Sequence, residues 1–213
     1  MIEVAGVAFA TFFATIGPFD VAAMFAALTA QQDDRYRRSM ALRGVLIAAG
    51  ILLAFALAGE FLLARLGISL AALRTAGGIL LLLIGIDMAF ARTTGGTSTT
   101  DDETNEASTK ADISVFPLAT PLLAGPGSMG AAILLMANQQ GDPAAQAVVI
   151  AALAATLLVA YLSLLLAGKL QMLLGITGMH VITRVMGVLL CALAVQFIFD
   201  GVGQSGLLTV SAG

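Results

Sequence analysis

Residues 116–130, FPLATPLLAGPGSMG, lie inside an apolar run yet carry Pro117, Pro121 and Pro126 together with Gly125, Gly127, Ser128 and Gly130. Proline removes a backbone donor and clashes with the preceding turn, and glycine weakens a helix. In water such a stretch is a loop. In a membrane, non-helical backbone survives only where it is buried in protein or lines a wet cavity. A second break, Ile16-Gly17-Pro18-Phe19-Asp20, interrupts the first apolar run. The chain reads as built around these two breaks.

Composition explains why a membrane is the right solvent. The chain is 59% hydrophobic and only 11% charged, with a mean hydropathy of +0.99, too apolar for the surface of a water-soluble domain. A net charge of -3 with no basic patch argues against a nucleic-acid partner. Cys191 and His180 each stand alone, so one chain has no disulfide framework, and neither a metal nor a cofactor is expected. The N-terminus has Glu3 where a signal peptide would have basic residues, and its apolar run outlasts an h-region, so it reads as a first span.

Runs of about 20 apolar residues predict six spans, at roughly 4–30, 44–64, 70–90, 113–137, 145–168 and 181–201. The predicted architecture is an all-α polytopic membrane protein: a three-helix repeat over 1–91, a flexible acidic Thr/Ser-rich linker over 92–112, and a second three-helix repeat over 113–213. Gly17-Pro18 recurs at Gly125-Pro126, Leu66-Gly67-Ile68 at Leu174-Gly175-Ile176, and Arg74-x-x-Gly77 at Arg184-x-x-Gly187, at offsets of 108, 108 and 110. Three spans per half insert the halves in opposite senses, the inverted-repeat plan of many secondary transporters. Arg35, Arg37, Arg38, Arg43, Arg92, Lys110, Lys169 and Arg184 fall on one side and only Arg65 and Arg74 on the other. The positive-inside rule then puts both termini on the periplasmic side.

The stretches FPLATPLLAGPGS at 116–128, LGISLAALRTAGGILLLLIGIDM at 66–88 and ITRVMGVLLCALAVQFIFDG at 182–201 make the chain resemble the MarC integral membrane family, which belongs with the LysE-type exporters. The resemblance implies six spans in a bacterial inner membrane and ion-driven transport of small neutral amino acids such as alanine and glycine. In that family the first break usually has Asn or Asp directly before the proline. Here Gly17 precedes Pro18 and Asp20 follows, so Asp20 is the stand-in for that polar group.

Candidate substrate-binding residues are Gly17, Pro18 and Asp20 at the first break and Gly125, Pro126, Gly127, Ser128 and Met129 at the second. At the second, a half-helix starting after Pro126 would aim the N–H groups of Gly127, Ser128 and Met129 at a substrate carboxylate. The competing reading is a packing kink between close helices. Asp20, expected to be buried in mid-span with a raised pKa, is a counter-charge for an ammonium or a carrier of a coupling proton. The alternative is a charge that accepts hydrogen bonds from broken backbone or reaches water. Asp87, still within an apolar run, is a second ion-coupling candidate. Glu60 and Asp200 lie nearer span ends and read as interfacial. Arg74 and Arg184 read as anchors of spans 3 and 6, His180 as a solvated or capping group, and the methionines as core filler.

No HExxH, GxSxG or catalytic Cys–His pair occurs, so no enzymatic activity is expected, and no Lys-Ser/Thr follows the glycines as in a nucleotide loop. The expected partners are a small-molecule substrate, the lipid bilayer and a proton or sodium ion. A homo-oligomer is compatible with the sequence. The leading function is a coupled transporter of alanine- or glycine-like amino acids. A passive channel or permease, or an exporter of another small solute, is the alternative.

Overall fold

The computed structural model describes residues 1–29, 31–90 and 112–205, and among them every regular element is helical. The first span is α1, Ile2–Ile16, followed by α2, Pro18–Leu28. Gly17 separates them in the left-handed region, with φ 58 and ψ 59, where a side chain would clash with the carbonyl that follows. Its N–H reaches the Phe13 carbonyl and its own carbonyl takes the Val21 N–H, both at 3.0 Å. Pro18, which has no N–H to lose, takes the first position of α2.

Asp33 caps α3, Asp34–Arg65, by accepting the Tyr36 N–H at 2.7 Å. This cap lets the helix begin in the charged stretch ahead of residue 44, where the apolar pattern alone puts its start. Ser69 caps α4, Leu70–Ala89, through the Ala72 N–H. The fourth span opens with a wide-turn segment, Ser114–Leu123, here called the π segment. Its N–H groups bond five residues back, Leu118 to Ile113 and Ala124 to Ala119. Phe116 and Thr120 are extended, each ahead of a cis-proline, Pro117 and Pro121, as steric pressure from a following proline ring favours. Then α5, Pro126–Ala137, leaves at a bend of 57°. Asp142 caps α6, Pro143–Leu165, and α7 runs over Ala167–Gln204.

Among the described residues, five helical stretches are long and apolar enough to cross a membrane, and the bent pair of π segment and α5, counted as one span, makes six. The chain is an all-helical, multi-pass integral membrane protein. One boundary differs from expectation. The connection predicted around 169–180 is helical, and α7 starts two residues after α6 ends. Gly67 turns the chain with φ 69, whereas Gly175, matched to it in sequence, lies within α7. Residue 91, residues 92–111 of the predicted linker, and the side chains of Glu60, Lys169 and His180 lie outside the described residues.

Packing divides the spans into an inner group and a closely locked pair. Side chains from α1, the π segment, α5 and α6, among them Phe12, Ile16, Leu118, Leu134 and Leu153, are wholly buried together. The pair is α4 with α7, antiparallel and touching backbone to backbone. A Cβ on Gly85 would lie 2.9 Å from the Cys191 amide nitrogen and 3.0 Å from the Gly187 carbonyl, and one on Gly187 would lie 2.8 Å from the Gly85 carbonyl. Small residues that let backbones meet are how helices associate where lipid removes the hydrophobic drive. Leu57, Phe61, Val188 and Phe199 are exposed on the outer faces, an apolar surface that suits lipid.

Candidate functional site

The break at Gly17 and the α4–α7 pair meet at a small cleft. Phe13, Gly17, Pro18, Phe19 and Asp20 form one wall, and Met88 of α4 with Thr183 and Met186 of α7 form the other. Its volume, about 10 Å³, is at the threshold for one water molecule. Asp20 is the third residue of α2, where the positive end of the helix favours a carboxylate. The Thr183 hydroxyl donates to Asp20 Oδ1 at 2.7 Å. Thr183 itself is buried, so this bond ties the mobile end of a carboxylate to a fixed point on α7.

The expectation that Asp20 is buried is corrected here. Its side chain is exposed while still lining the cleft. The reason is local: with Pro18 and Phe19 turned inward at the start of α2, the next position faces out. Asp20 therefore stands where the cleft opens rather than sealed in the protein.

The second break has the opposite character. Gly125, Gly127 and Ser128 are buried. A Cβ on Gly127 would collide with Cδ1 of Ile84, so that glycine lets α4 close against the start of α5. The Ser128 hydroxyl shares its hydrogen bond between the Leu123 and Gly125 carbonyls, each at 3.0 Å. It thereby supplies a donor to the Leu123 carbonyl at the end of the π segment and a second donor to the Gly125 carbonyl, which also takes a backbone N–H. Met129 was expected to offer a free N–H, but that group already bonds the Gly125 carbonyl at 3.0 Å. Pro126 cannot donate, which leaves Gly127 and Ser128 as the first amides of α5.

Of the residues singled out in the sequence, the cleft brings together Gly17, Pro18 and Asp20 and includes none of Gly125 to Met129. Asp87 is half-buried beside Met88 but does not line the cleft. Arg74 anchors its span as expected, with Nε donating to Asn138 Oδ1 at 2.6 Å, which ties the start of α4 to the end of α5. Arg184 is exposed next to Thr183. Sequence reasoning missed Phe13 on the near wall and all three residues of the opposite wall: Thr183, Met88 and Met186. A threonine among apolar residues carries no signal, and both methionines read as core filler. Only pairing α4 and α7 with the first break reveals them.

The profile described as MarC family integral membrane protein matches residues 2–205. A UPF0056 membrane protein of Methanocaldococcus jannaschii is 41% identical over 195 residues, which cover 92% of this chain and 94% of that one. The UPF0056 membrane protein YvbG of Bacillus subtilis is 35% identical over 95% of this chain and 94% of its own, and a UPF0056 membrane protein of Archaeoglobus fulgidus is 34% identical over 92% and 91%. No solved structure matches the chain.

Proposed function

Because the chain belongs to the MarC family of integral membrane proteins, we propose that it is a secondary transporter of small neutral amino acids such as alanine or glycine, driven by a proton or sodium gradient. The observation that carries this reading is the Asp20–Thr183 bond across the first break. A carboxylate that lines a cleft, is not sealed in the protein and accepts a hydroxyl from a neighbouring span can take up a cation or proton and loosen that tether. A protonated carboxyl no longer attracts the ammonium of a substrate and holds the Thr183 hydroxyl less strongly. Ion binding and opening are thus coupled through one group.

In this conformation the cleft is closed to anything larger than water. Opening it means separating the first span from α4 and α7. Since those two helices meet backbone to backbone, they move as one body, and the seam at Gly17 is the element that yields. Phe13, Phe19, Met88 and Met186 around the seam leave room for a short side chain only, which favours the smallest amino acids. The free amides of Gly127 and Ser128 are candidates for the substrate carboxylate once α4 moves off Gly127.

The two halves, 1–91 and 113–213, are read as inverted repeats. Matched glycine-proline breaks and the antiparallel pairing of the last span of each half support this. The protein acts as a transporter rather than an enzyme, in the cell membrane with its arginine-rich side inward. The test is uptake of labelled alanine and glycine into proteoliposomes under imposed proton or sodium gradients. Gradient-dependent uptake that Asp20→Asn abolishes is the expected result. Failure of both substrates under every gradient overturns the proposal. Flux that ignores the gradient and survives Asp20→Asn identifies a passive permease instead.

A further inference from the structure

Away from the transport seam, an apolar groove runs between α3 and α6. Its lining extends from Leu42 to Leu53 on α3 and from Ile150 to Tyr161 on α6, with Val45 and Leu157 between. At 1.5 Å per residue each side is about 16 Å long, close to half of a hydrocarbon core about 30 Å thick. The groove therefore matches the depth of one leaflet. Its volume is about 280 Å³. Leu42 and Leu158, respectively 46% and 57% exposed, form its open lips.

Tyr161 joins this groove to a second, more polar cavity of about 600 Å³. That cavity is lined by Arg37, Arg38 and Asp34 from the first turns of α3, and by Leu164 and its neighbours at the end of α6. Two guanidiniums against one carboxylate leave the cavity with an excess positive charge. Arg35 is exposed on the same turn of α3, while Arg43 is drawn off toward Asp112. An acyl-length apolar groove thus leads directly into a cationic cavity at the membrane surface. We propose that these joined cavities are a binding site for an anionic phospholipid, with the phosphate held by Arg37 and Arg38 and one acyl chain lying along α3 and α6. Arginine pairs fit phosphate oxygens through their forked donors, and basic clusters where a span meets the surface attract anionic lipid. Asp34 disfavours a second negative group deeper in the cavity, so a singly charged headgroup such as phosphatidylglycerol fits best.

The test is retention of added lipid by the detergent-purified full chain, read by native mass spectrometry, with thermal unfolding in parallel. Phosphatidylglycerol should be retained about ten-fold better than phosphatidylcholine, and Arg37→Gln with Arg38→Gln should erase that difference. Ala154→Phe, which fills the groove without touching the arginines, should reduce retention of phosphatidylglycerol. Both variants should unfold at the wild-type temperature in lipid-free detergent. Equal retention of phosphatidylethanolamine and phosphatidylglycerol would overturn the charge assignment, since Asp34 would then be meeting an amine. Binding of glycerol phosphate as tight as that of the whole lipid would overturn the role of the groove. If Ala154→Phe changed the oligomeric state but not lipid retention, a second copy of the chain would be the occupant and the proposal would fail.

Discussion

The two breaks share Gly-Pro, and both put proline at the first position of a helix, yet they do different work. The difference lies in the third helical residue. Asp20 and Ser128 occupy the same place in the matched breaks, 108 positions apart. Ser128 turns inward and satisfies two carbonyls of its own break. Asp20 turns outward and bonds a hydroxyl on a different span. The residue between proline and that position reinforces the contrast: Gly127 admits Ile84 and lets the second break close, whereas Phe19 helps wall a cleft at the first. One break is packed by its own side chains, and the other leaves a charged group for something else to hold.

The largest expected effect follows from that asymmetry. Asp20→Asn should cut gradient-driven uptake by at least about ten-fold, the loss expected if an essential charge is removed, with no change in unfolding temperature. Ser128→Ala should do the reverse. It should keep coupled uptake and lower stability by about 1 kcal/mol, as the buried Leu123 carbonyl loses the hydroxyl that serves it. If Ser128→Ala abolishes uptake with the fold intact, the Ser128 hydroxyl itself belongs to the transport site and the contrast collapses.

Packing at the second break can be tested in the same terms. Gly127→Ala brings a methyl onto Cδ1 of Ile84 and should cost about 1–3 kcal/mol in a detergent unfolding series. Ile84→Val removes only the colliding methyl, so the double variant should recover most of that loss. Non-additivity of this kind is the signature of direct contact. Additive losses would mean that Gly127 is needed for something other than room.

The architecture was legible because its signals are strong and local. Long apolar runs gave the spans, and proline with glycine inside an apolar run marked both breaks. The divergence of α7 from prediction has a physical cause as well. Glycine and a polar residue or two read as a turn in a soluble frame, but a helix can continue through them when nothing in the chain forces a positive φ. The site was legible only in half. Asp20 announced itself because a charge in an apolar run is costly. Thr183 did not, because its role depends on which span lies opposite, and that is a tertiary fact. The exposure of Asp20 was misjudged for the same reason: position along a span does not say which way a helix faces after a kink.

Backbone strain separates the breaks by a smaller margin. Gly17 has φ 58, whereas Gly125 has φ -86, a value open to any residue. A Cβ at Gly17 would meet nothing closer than Asp20 Oδ2 at 3.4 Å, so the cost of Gly17→Ala is conformational, about 1–2 kcal/mol. The measurement is the midpoint of unfolding in detergent, with uptake assayed alongside. A variant that unfolds like wild type would mean that the break relaxes to ordinary helix, and uptake would then report whether the kink is needed.

The smallest effect lies at the entrance to the π segment, which the first break has no equivalent of. Asp112 accepts the Ser114 N–H at 2.8 Å and the Ser114 hydroxyl at 2.6 Å, and Arg43 lies 3.5 Å away. The Ser114 hydroxyl and amide, with help from the Arg43 charge, hold the Asp112 carboxyl below its ordinary value of 3.8. Because the folded-state value is depressed, this group stabilises the fold fully above the ordinary carboxylate value. The contribution disappears as pH falls through the lowered one. Both partners of the ion pair are at least half exposed, so the pair itself is worth under about 1 kcal/mol. Asp112→Asn should therefore lower the unfolding temperature slightly at neutral pH, and the gap from wild type should close in acid below about pH 4. A gap that persists in acid would assign Asp112 a role independent of its charge. A loss as large as that of Gly127→Ala would mean that the second break is held from its entrance as firmly as from its packed centre.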